Sequence, residues 1–258
     1  MSAIVMDPGA MTLVVPPDKA LDRASLALAN ALLGNPDSAP GLEALVGGLR
    51  LRFVTGTAIA VTGAEGLVRL NGSELAMNKA VRVAPGAVLE FGRALFGIRY
   101  YLAVQGGIEP QTDPLHTGRT LTFGRFHGHG FPSVDHPTRR ALDAERPVVA
   151  RVAPGPDAEK YDAGTWLRLT TEPWTLSPES DRVGARLAGR PLSVGESPAP
   201  GTQPLVAGSV LLPPSGLPVI ALADHPDTSE SPVIAVVRDE DLDSLGQARP
   251  GQMVHLLG

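Results

Sequence analysis

A mainly β protein with a few short helices is the fold class this sequence predicts, on three observations. Glycine (29) and proline (25) are abundant with no low-complexity tract to absorb them, so they must punctuate many short elements. Short β-branched runs bounded by turn residues recur along the chain, Val219–Leu222 and Val233–Val237 being the clearest. Helical periodicity is confined to a few segments. At 258 residues the chain can bury a substantial core, as one large β unit or two smaller ones.

The clearest helix is Asp18 to Leu33. Leu21, Ala24, Leu28, Ala31 and Leu32 share a face, Asp18 is placed to cap the first turn, and Gly34-Asn35-Pro36 ends it. A meander follows. Leu49, Leu51 and Phe53 alternate with Arg50 and Arg52, as in a strand with one wet face. Asn71-Gly72 between Leu67–Leu70 and Ser73–Leu75 is a two-residue hairpin signal, and Pro85-Gly86 is expected to turn Val81–Val83 back into Ala87–Phe91. The strand Arg99–Val104 then enters Gly106-Gly107, which permits a sharp bend or a close approach of backbone to ligand. Apolar alternation fades from Glu109 to Arg146, read as a connecting or active-site segment. A second β region opens at Val148–Val152, with a short helix expected around Ser180–Leu187, another from Asp239 to Ala248 and a last strand at Met253–Leu256. The expected division is therefore 1–108, 109–147 and 148–258.

Composition removes several function classes. Lys+Arg 22 against Asp+Glu 27 leaves no basic footprint for nucleic acid or an anionic membrane. The absence of cysteine excludes disulfides, thiolate catalysis and cysteine-ligated metal centres. No apolar run reaches the ~20 residues that span a bilayer, and a cytoplasmic location is the expectation. The phosphate-binding G-x-x-x-x-G-K-[ST], the dinucleotide G-x-G-x-x-G and the G-x-S-x-G nucleophile elbow are all missing. Glu74-Leu75-Ala76-Met77-Asn78-Lys79 is superficially like a biotin attachment segment, but the lysine does not follow the Ala-Met pair, so no covalent biotin is expected. His127-x-His129, with His116 and His136, offers imidazoles but lacks the helical i, i+4 spacing of a convincing metal pair; a metal is left open.

Two constellations carry more chemistry. Ser180-Asp181-Arg182 reads as the start of a helix, its hydroxyl and carboxylate meeting free N–H groups and its guanidinium either holding an anion or lying on the surface. The other is the polar loop Ala223–Ser231, which sets His225 among Asp224, Asp227 and Glu230 between two apolar strands, with Pro226 inside it and Pro232 at its end. Such a loop is either a site or a solvated connection.

Four ordered blocks, GIRYYLAVQGGIEP, ESDRVGARLAGRPL, LLPPSGLPVIALADHPDT and PVIAVVRDEDLDSLGQARPGQMV, resemble the signatures of the family formed by the C subunits of 5-oxoprolinase. That family is also called allophanate hydrolase subunit 2, the biotin-dependent carboxyltransferase domain, or the antagonist of a sporulation kinase inhibitor. ALDRASLALANALLGNPDSAPGLEALVGG extends the likeness toward the N-terminus. The resemblance implies two cyclophilin-like β-barrel domains and ATP-dependent opening of 5-oxoproline to glutamate, or a related carboxyl or amide transfer. It also implies a small carboxylic acid or lactam as substrate, a partner of related fold like the B subunit of 5-oxoprolinase, a further protein like its A subunit, and ATP used through the complex. Carried onto this chain, its pattern marks Asp181, His225 and Glu43 for catalysis. For substrate binding it marks Ser180, Arg182, Asp22, Asn30, Asn35, Gly106, Gly107, Arg119, Pro213, Pro214 and Thr228.

Three departures stand beside these matches. The family's T-T-V-Q-D-x-G-R segment has no counterpart before Val15-Pro16, His116-Thr117-Gly118-Arg119-Thr120 stands for G-S-R-S-T, and Thr228-Ser229-Glu230-Ser231 stands for T-G-G-Y. Exchanging paired glycines for Ser-Glu removes backbone freedom and adds a charge. The departures keep open a non-catalytic regulatory or interaction module, and a carboxylic-acid binder without chemistry.

Overall fold

The computed structural model of the chain describes residues 1–124, 131–134, 143–194 and 203–258. Two compact units divide it, Met1–Ala141 and Leu142–Gly258.

The first unit holds β1 (Ser2–Pro8), β2 (Met11–Val15), α1 (Arg23–Leu33), β3 (Gly41–Leu45), β4 (Leu49–Phe53), β5 (Thr57–Leu70), β6 (Ser73–Glu74), β7 (Ala80–Val83), β8 (Val88–Val104) and β9 (Thr120–Thr122). These strands form one curled nine-stranded sheet whose main path runs β2-β3-β8-β4-β1-β9, with β5 pairing β8 along most of its length. Pleating sends Tyr100, Leu102 and Val104 to the main core and Tyr101 and Ala103 to the opposite face, where α1 lies. Both faces of the last part of β8 are covered, which is why Arg99–Val104 reads as continuous rather than alternating. Small residues allow the close approach of α1: Ala29 packs on Ala58, Ala60 and Ala103, and a Cβ on Gly41 would sit 2.4 Å from Leu26 Cδ1.

The second unit holds β10 (Val148–Pro154), α2 (Ala163–Thr171), β11 (Trp174–Leu176), β12 (Gly184–Ala188), β13 (Gln203–Pro204), β14 (Ser209–Leu211), β15 (Val219–Ala221), β16 (Thr228–Ser229), β17 (Val233–Val237), α3 (Asp239–Gly246) and β18 (Met253–Leu257). Seven strands close in the order β10-β17-β14-β15-β12-β11-β18, with the parallel pair β10/β18 completing the ring. A separate two-stranded ribbon pairs β13 with β16. The expected mainly β architecture is the one found.

Several elements depart from expectation. Asp18 lies in a short 3-10 turn, Pro17–Lys19, and the cap of α1 is Asp22, whose Oδ1 accepts from Ser25 N at 3.0 Å. The turn at Pro85-Gly86 forms, with Gly86 at φ 81°, yet its two arms do not pair: β7 joins β5, and the start of β8 joins β4 and the end of β5. The helix expected at Ser180–Leu187 is instead a turn followed by strand β12. Asp181 Oδ1 accepts from the amides of Val183 (2.8 Å) and Gly184 (3.0 Å), so the hydrogen bonds that would cap a helix close an Asx turn. Helix α2 was not anticipated, although Asp162 caps it through Thr165 N at 2.6 Å and is a recognisable start signal. Only Thr165 and Leu169 of α2 are buried, too few to set up a visible apolar stripe.

Candidate functional site

The candidate residues fall into two groups, one in each unit. In the first, they are buried and hydrogen-bonded to one another. Glu43, 4% exposed, faces the start of α1 from β3, where its Oε2 accepts from Leu21 N (3.0 Å) and from the Tyr101 hydroxyl (2.7 Å). The Tyr101 oxygen accepts in turn from Asp22 N at 2.8 Å, and Arg99 Nε lies 3.4 Å from Glu43 Oε1. Burial, followed by the negative charges of Glu43 and Asp22, pushes the Tyr101 phenol well above its usual range, so it remains a neutral donor. A carboxylate beside the N-terminal amides of a helix is also favoured by the helix dipole.

Asn30 and Asn35 form a second buried knot. Asn30 Nδ2 donates to Ala39 O (2.8 Å), and Asn35 Nδ2 donates to Asn30 Oδ1 and to Val104 O (both 2.9 Å). Asn35 Oδ1 accepts from Gly106 N at 2.8 Å. Gly106 (φ 86°) and Gly107 (φ 76°) make the bend after β8, and it serves this internal packing: a Cβ on Gly107 would lie 3.3 Å from Ala39 Cβ. Arg119 is exposed before β9 and donates from Nε to Gln111 Oε1 at 2.8 Å.

In the second unit the candidates occupy two loops laced together at one region of the barrel. Asp224 N donates to Arg182 O (3.0 Å) and Leu222 N to Val183 O (3.0 Å). The buried Arg182 guanidinium forks onto the half-exposed Asp224, Nε to Oδ2 at 2.7 Å and Nη2 to Oδ1 at 3.1 Å. This bidentate pair fixes the loop ahead of His225. Ser180 Oγ accepts from Arg186 N at 2.9 Å. His225 Nδ1 lies 2.7 Å from Pro226 O; a carbonyl only accepts, so Nδ1 carries the proton and Nε2 of the neutral ring is left as a base.

Beside these loops is a pocket of about 210 Å³ whose wall includes Pro213, Val219, Ala221, Arg186, His225 and Pro226. The structure thus groups Ser180, Asp181, Arg182, Pro213 and His225 around one region of the second barrel. Pro214 is exposed in the turn after β14, and Thr228 is paired to Pro204 in the ribbon. Arg186 was not singled out from the sequence, and Asp224 only as one carboxylate of the polar loop; their place within the ESDRVGARL and ADHPD blocks was the available signal.

His127, His129 and His136 lie outside the described residues. Among the described residues no group of His, Asp and Glu side chains is arranged to hold a metal, and no helix is long and apolar enough to cross a membrane.

A curled sheet followed by a closed barrel, with ionisable loops beside the barrel's pocket, defines a two-unit, mainly β protein with a surface site. The family model for the carboxyltransferase domain, subdomains A and B, matches residues 13–112 and 110–257, so the chain belongs to that family. It is 31% identical over 247 residues to the 5-oxoprolinase C subunit of Haemophilus influenzae, covering 91% of this chain and 80% of that protein. Against the Escherichia coli protein of the same name it is 30% identical over 251 residues, covering 92% and 81%. The crystal structure of TTHA0988 matches all of this chain with a TM-score of 0.88 at 29% identity, and this chain spans 55% of that one. Kluyveromyces lactis urea carboxylase shares the fold at a TM-score of 0.87 and 24% identity, over 99% of this chain and 27% of that enzyme.

Proposed function

We propose that this protein is one component of an ATP-dependent, 5-oxoprolinase-like amidohydrolase, or of an enzyme carrying out a related carboxyl or amide transfer. Acting in the cytoplasm with a partner of related fold, like the B subunit of 5-oxoprolinase, and with a protein like its A subunit, it opens the lactam of 5-oxoproline. Water adds across the C–N bond to give glutamate as ATP is consumed through the complex. The observation that carries this reading is the pair of interlocked loops in the second barrel, which sets a His225 ring of assigned tautomer beside a pocket, in a family whose similar members include two proteins named as the C subunit of 5-oxoprolinase. His225 Nε2 moves a proton at the opening lactam. Asp181 and the Arg182–Asp224 pair hold the loops in register. Mixing this chain with those two partners and following ATP-dependent release of glutamate tests the proposal, which requires turnover that depends on this chain and is lost in His225→Ala.

A second reading, a non-catalytic module that binds the partner of related fold, is favoured by one specific feature. Where the family has paired glycines this chain has Ser229-Glu230; Ser229 ends strand β16, and its Oγ accepts from Ser231 N at 2.9 Å. Stoichiometric binding of the partner with no ATP turnover would select this reading.

A further inference from the structure

The register of the second barrel assigns a role to Arg186. Val210, Ile220 and Ala185 form one cross-strand row over β14, β15 and β12, and all three point into the barrel core with at most 1% exposure. Pleating therefore turns the neighbouring row, Leu211–Val219–Arg186, to the outer face, together with the Gly184–Ala221 pair. All five of these residues line the pocket described above, so its floor is the outside of the sheet. Gly184 keeps that floor open: a Cβ there would lie 2.9 Å from Val219 Cγ1. Over the floor comes the β13/β16 ribbon, anchored by Leu205 N donating to Asp227 O at 2.9 Å, and it brings Leu205 and the His225-Pro226 corner across as a roof.

The chemistry of this enclosure is lopsided. Its walls are apolar apart from two side chains, Arg186 and His225. The Arg182 guanidinium nearby is taken up by Asp224, whereas that of Arg186 makes no hydrogen bond or ion pair with any described residue. An exposed cation at the edge of a small apolar pocket, without a counter-charge among the described residues, fits a monoanion with an apolar body, and the planar fork of arginine fits a carboxylate with two parallel hydrogen bonds. At about 210 Å³ the space is below the ~300–1,000 Å³ of pockets for drug-sized ligands, so the ligand is a small metabolite.

We infer that Arg186 is the carboxylate anchor of this site, holding a small cyclic carboxylate whose ring rests on Leu211 and Val219 while His225 Nε2 accepts a hydrogen bond from a ligand N–H. The inference deepens the proposed function and rests on it for the lactam probe.

The test is calorimetric binding of three probes to the isolated full chain: 5-oxoproline, its uncharged carboxamide, and cyclopentanecarboxylate. Methyl NMR shifts of Val183, Leu205, Leu211 and Val219 locate them. Binding of 5-oxoproline that perturbs these methyls, falls tenfold or more in Arg186→Ala, recovers in part in Arg186→Lys and is lost with the carboxamide is the expected result. Because the guanidinium holds no described residue, Arg186→Ala should unfold at the wild-type temperature. Equal affinity for acid and carboxamide, unchanged binding in Arg186→Ala, or no binding of either carboxylate would overturn the assignment. Cyclopentanecarboxylate binding through Arg186 with no affinity for 5-oxoproline would keep the anchor and remove the 5-oxoprolinase reading instead.

Discussion

With the exposed Arg119 and the buried Arg182 as exceptions, the polar groups around the candidate positions behave oppositely in the two units. In the first, Asp22, Asn30, Asn35 and Glu43 are at most 7% exposed and their polar atoms meet backbone and side-chain partners inside the unit. In the second, Asp181 and Asp224 are exposed, His225 is half-buried, and the neighbouring Arg186 guanidinium has no polar partner among the described residues. The contrast teaches that one recurring pattern mixes two physical tasks. Buried polar groups that are hydrogen-bonded to one another hold α1 and the Gly106-Gly107 bend to the sheet, because leaving them unsatisfied in the interior is costly. Exposed groups on interlocked loops are available to a ligand.

Variants that remove one buried group should break the first unit most severely. Glu43→Ala removes the acceptor shared by the Tyr101 hydroxyl and Leu21 N and a counter-charge of the Arg99 guanidinium. The expected loss is about 3–5 kcal/mol in urea unfolding, as for removal of one partner from a buried charge pair. Wild-type stability in this variant, with turnover abolished, would mean that Glu43 belongs with the ligand-facing group and that the comparison is wrong. Asn35→Ala strands Gly106 N and Asn30 Oδ1 and leaves Val104 O with Gly107 N as its donor. A loss of about 2–3 kcal/mol is expected, with faster hydrogen exchange at Gly106 as the local signature.

How much of this was legible beforehand follows the same physics. Local signals read correctly where short-range geometry decides. Asn71 (φ 52°) and Gly72 (φ 81°) form the expected tight hairpin, Arg50 and Arg52 face outward, and α3 starts at Asp239. They failed where two structures satisfy one signal. Ser180-Asp181 offers the same side-chain acceptors to a helix N-terminus and to an Asx turn, and Gly184-Ala185-Arg186-Leu187-Ala188 has apolar residues at helical as well as alternating spacing. Pairing across the barrel, Ala185 with Ile220 and Arg186 with Val219, decides for strand, and no local window contains that information. The same limit hid Arg186 as a pocket residue: its exposure to the outer face depends on barrel register, not on its neighbours in sequence. Conversely, the burial of Glu43 was hidden because it depends on Tyr101 and Arg99, which a distant strand, β8, brings against it.

The second unit has its own structural carboxylate, which sharpens the division further. Asp157 is 5% exposed and ties Lys160 (2.6 Å), Gln203 Nε2 (2.6 Å) and Val233 N (2.8 Å) together. Burial alone would raise its pKa, but the hydrogen bonds from Lys160, Gln203 and Val233 outweigh it and hold the carboxyl below the ordinary aspartate range. A depressed folded-state value gives stability that is complete above the unfolded value of about 3.9 and is lost as pH falls through the lower folded one. Asp157→Asn should therefore cost about 1–2 kcal/mol near neutrality and flatten the decline in urea midpoint below about pH 4. An unchanged acid slope would show that Asp157 is not the group responsible.

The smallest stability effect, and the sharpest test of the contrast, is expected at His225. Among the described residues its side chain makes one hydrogen bond, from Nδ1 to the adjacent Pro226 carbonyl. The loop is held independently by the Arg182–Asp224 fork and by Leu222 N donating to Val183 O. His225→Gln keeps a donor for that carbonyl but removes the ring base, so unfolding should shift by no more than about 0.5 kcal/mol. ATP-dependent lactam opening by the reconstituted complex should nonetheless fall by about 10²–10⁴-fold, the usual contribution of a positioned general base. A stability loss comparable to that of Glu43→Ala would move His225 into the structural class. A stable variant with undiminished turnover would leave the pocket with Arg186 as its only working side chain and favour binding over chemistry at this barrel.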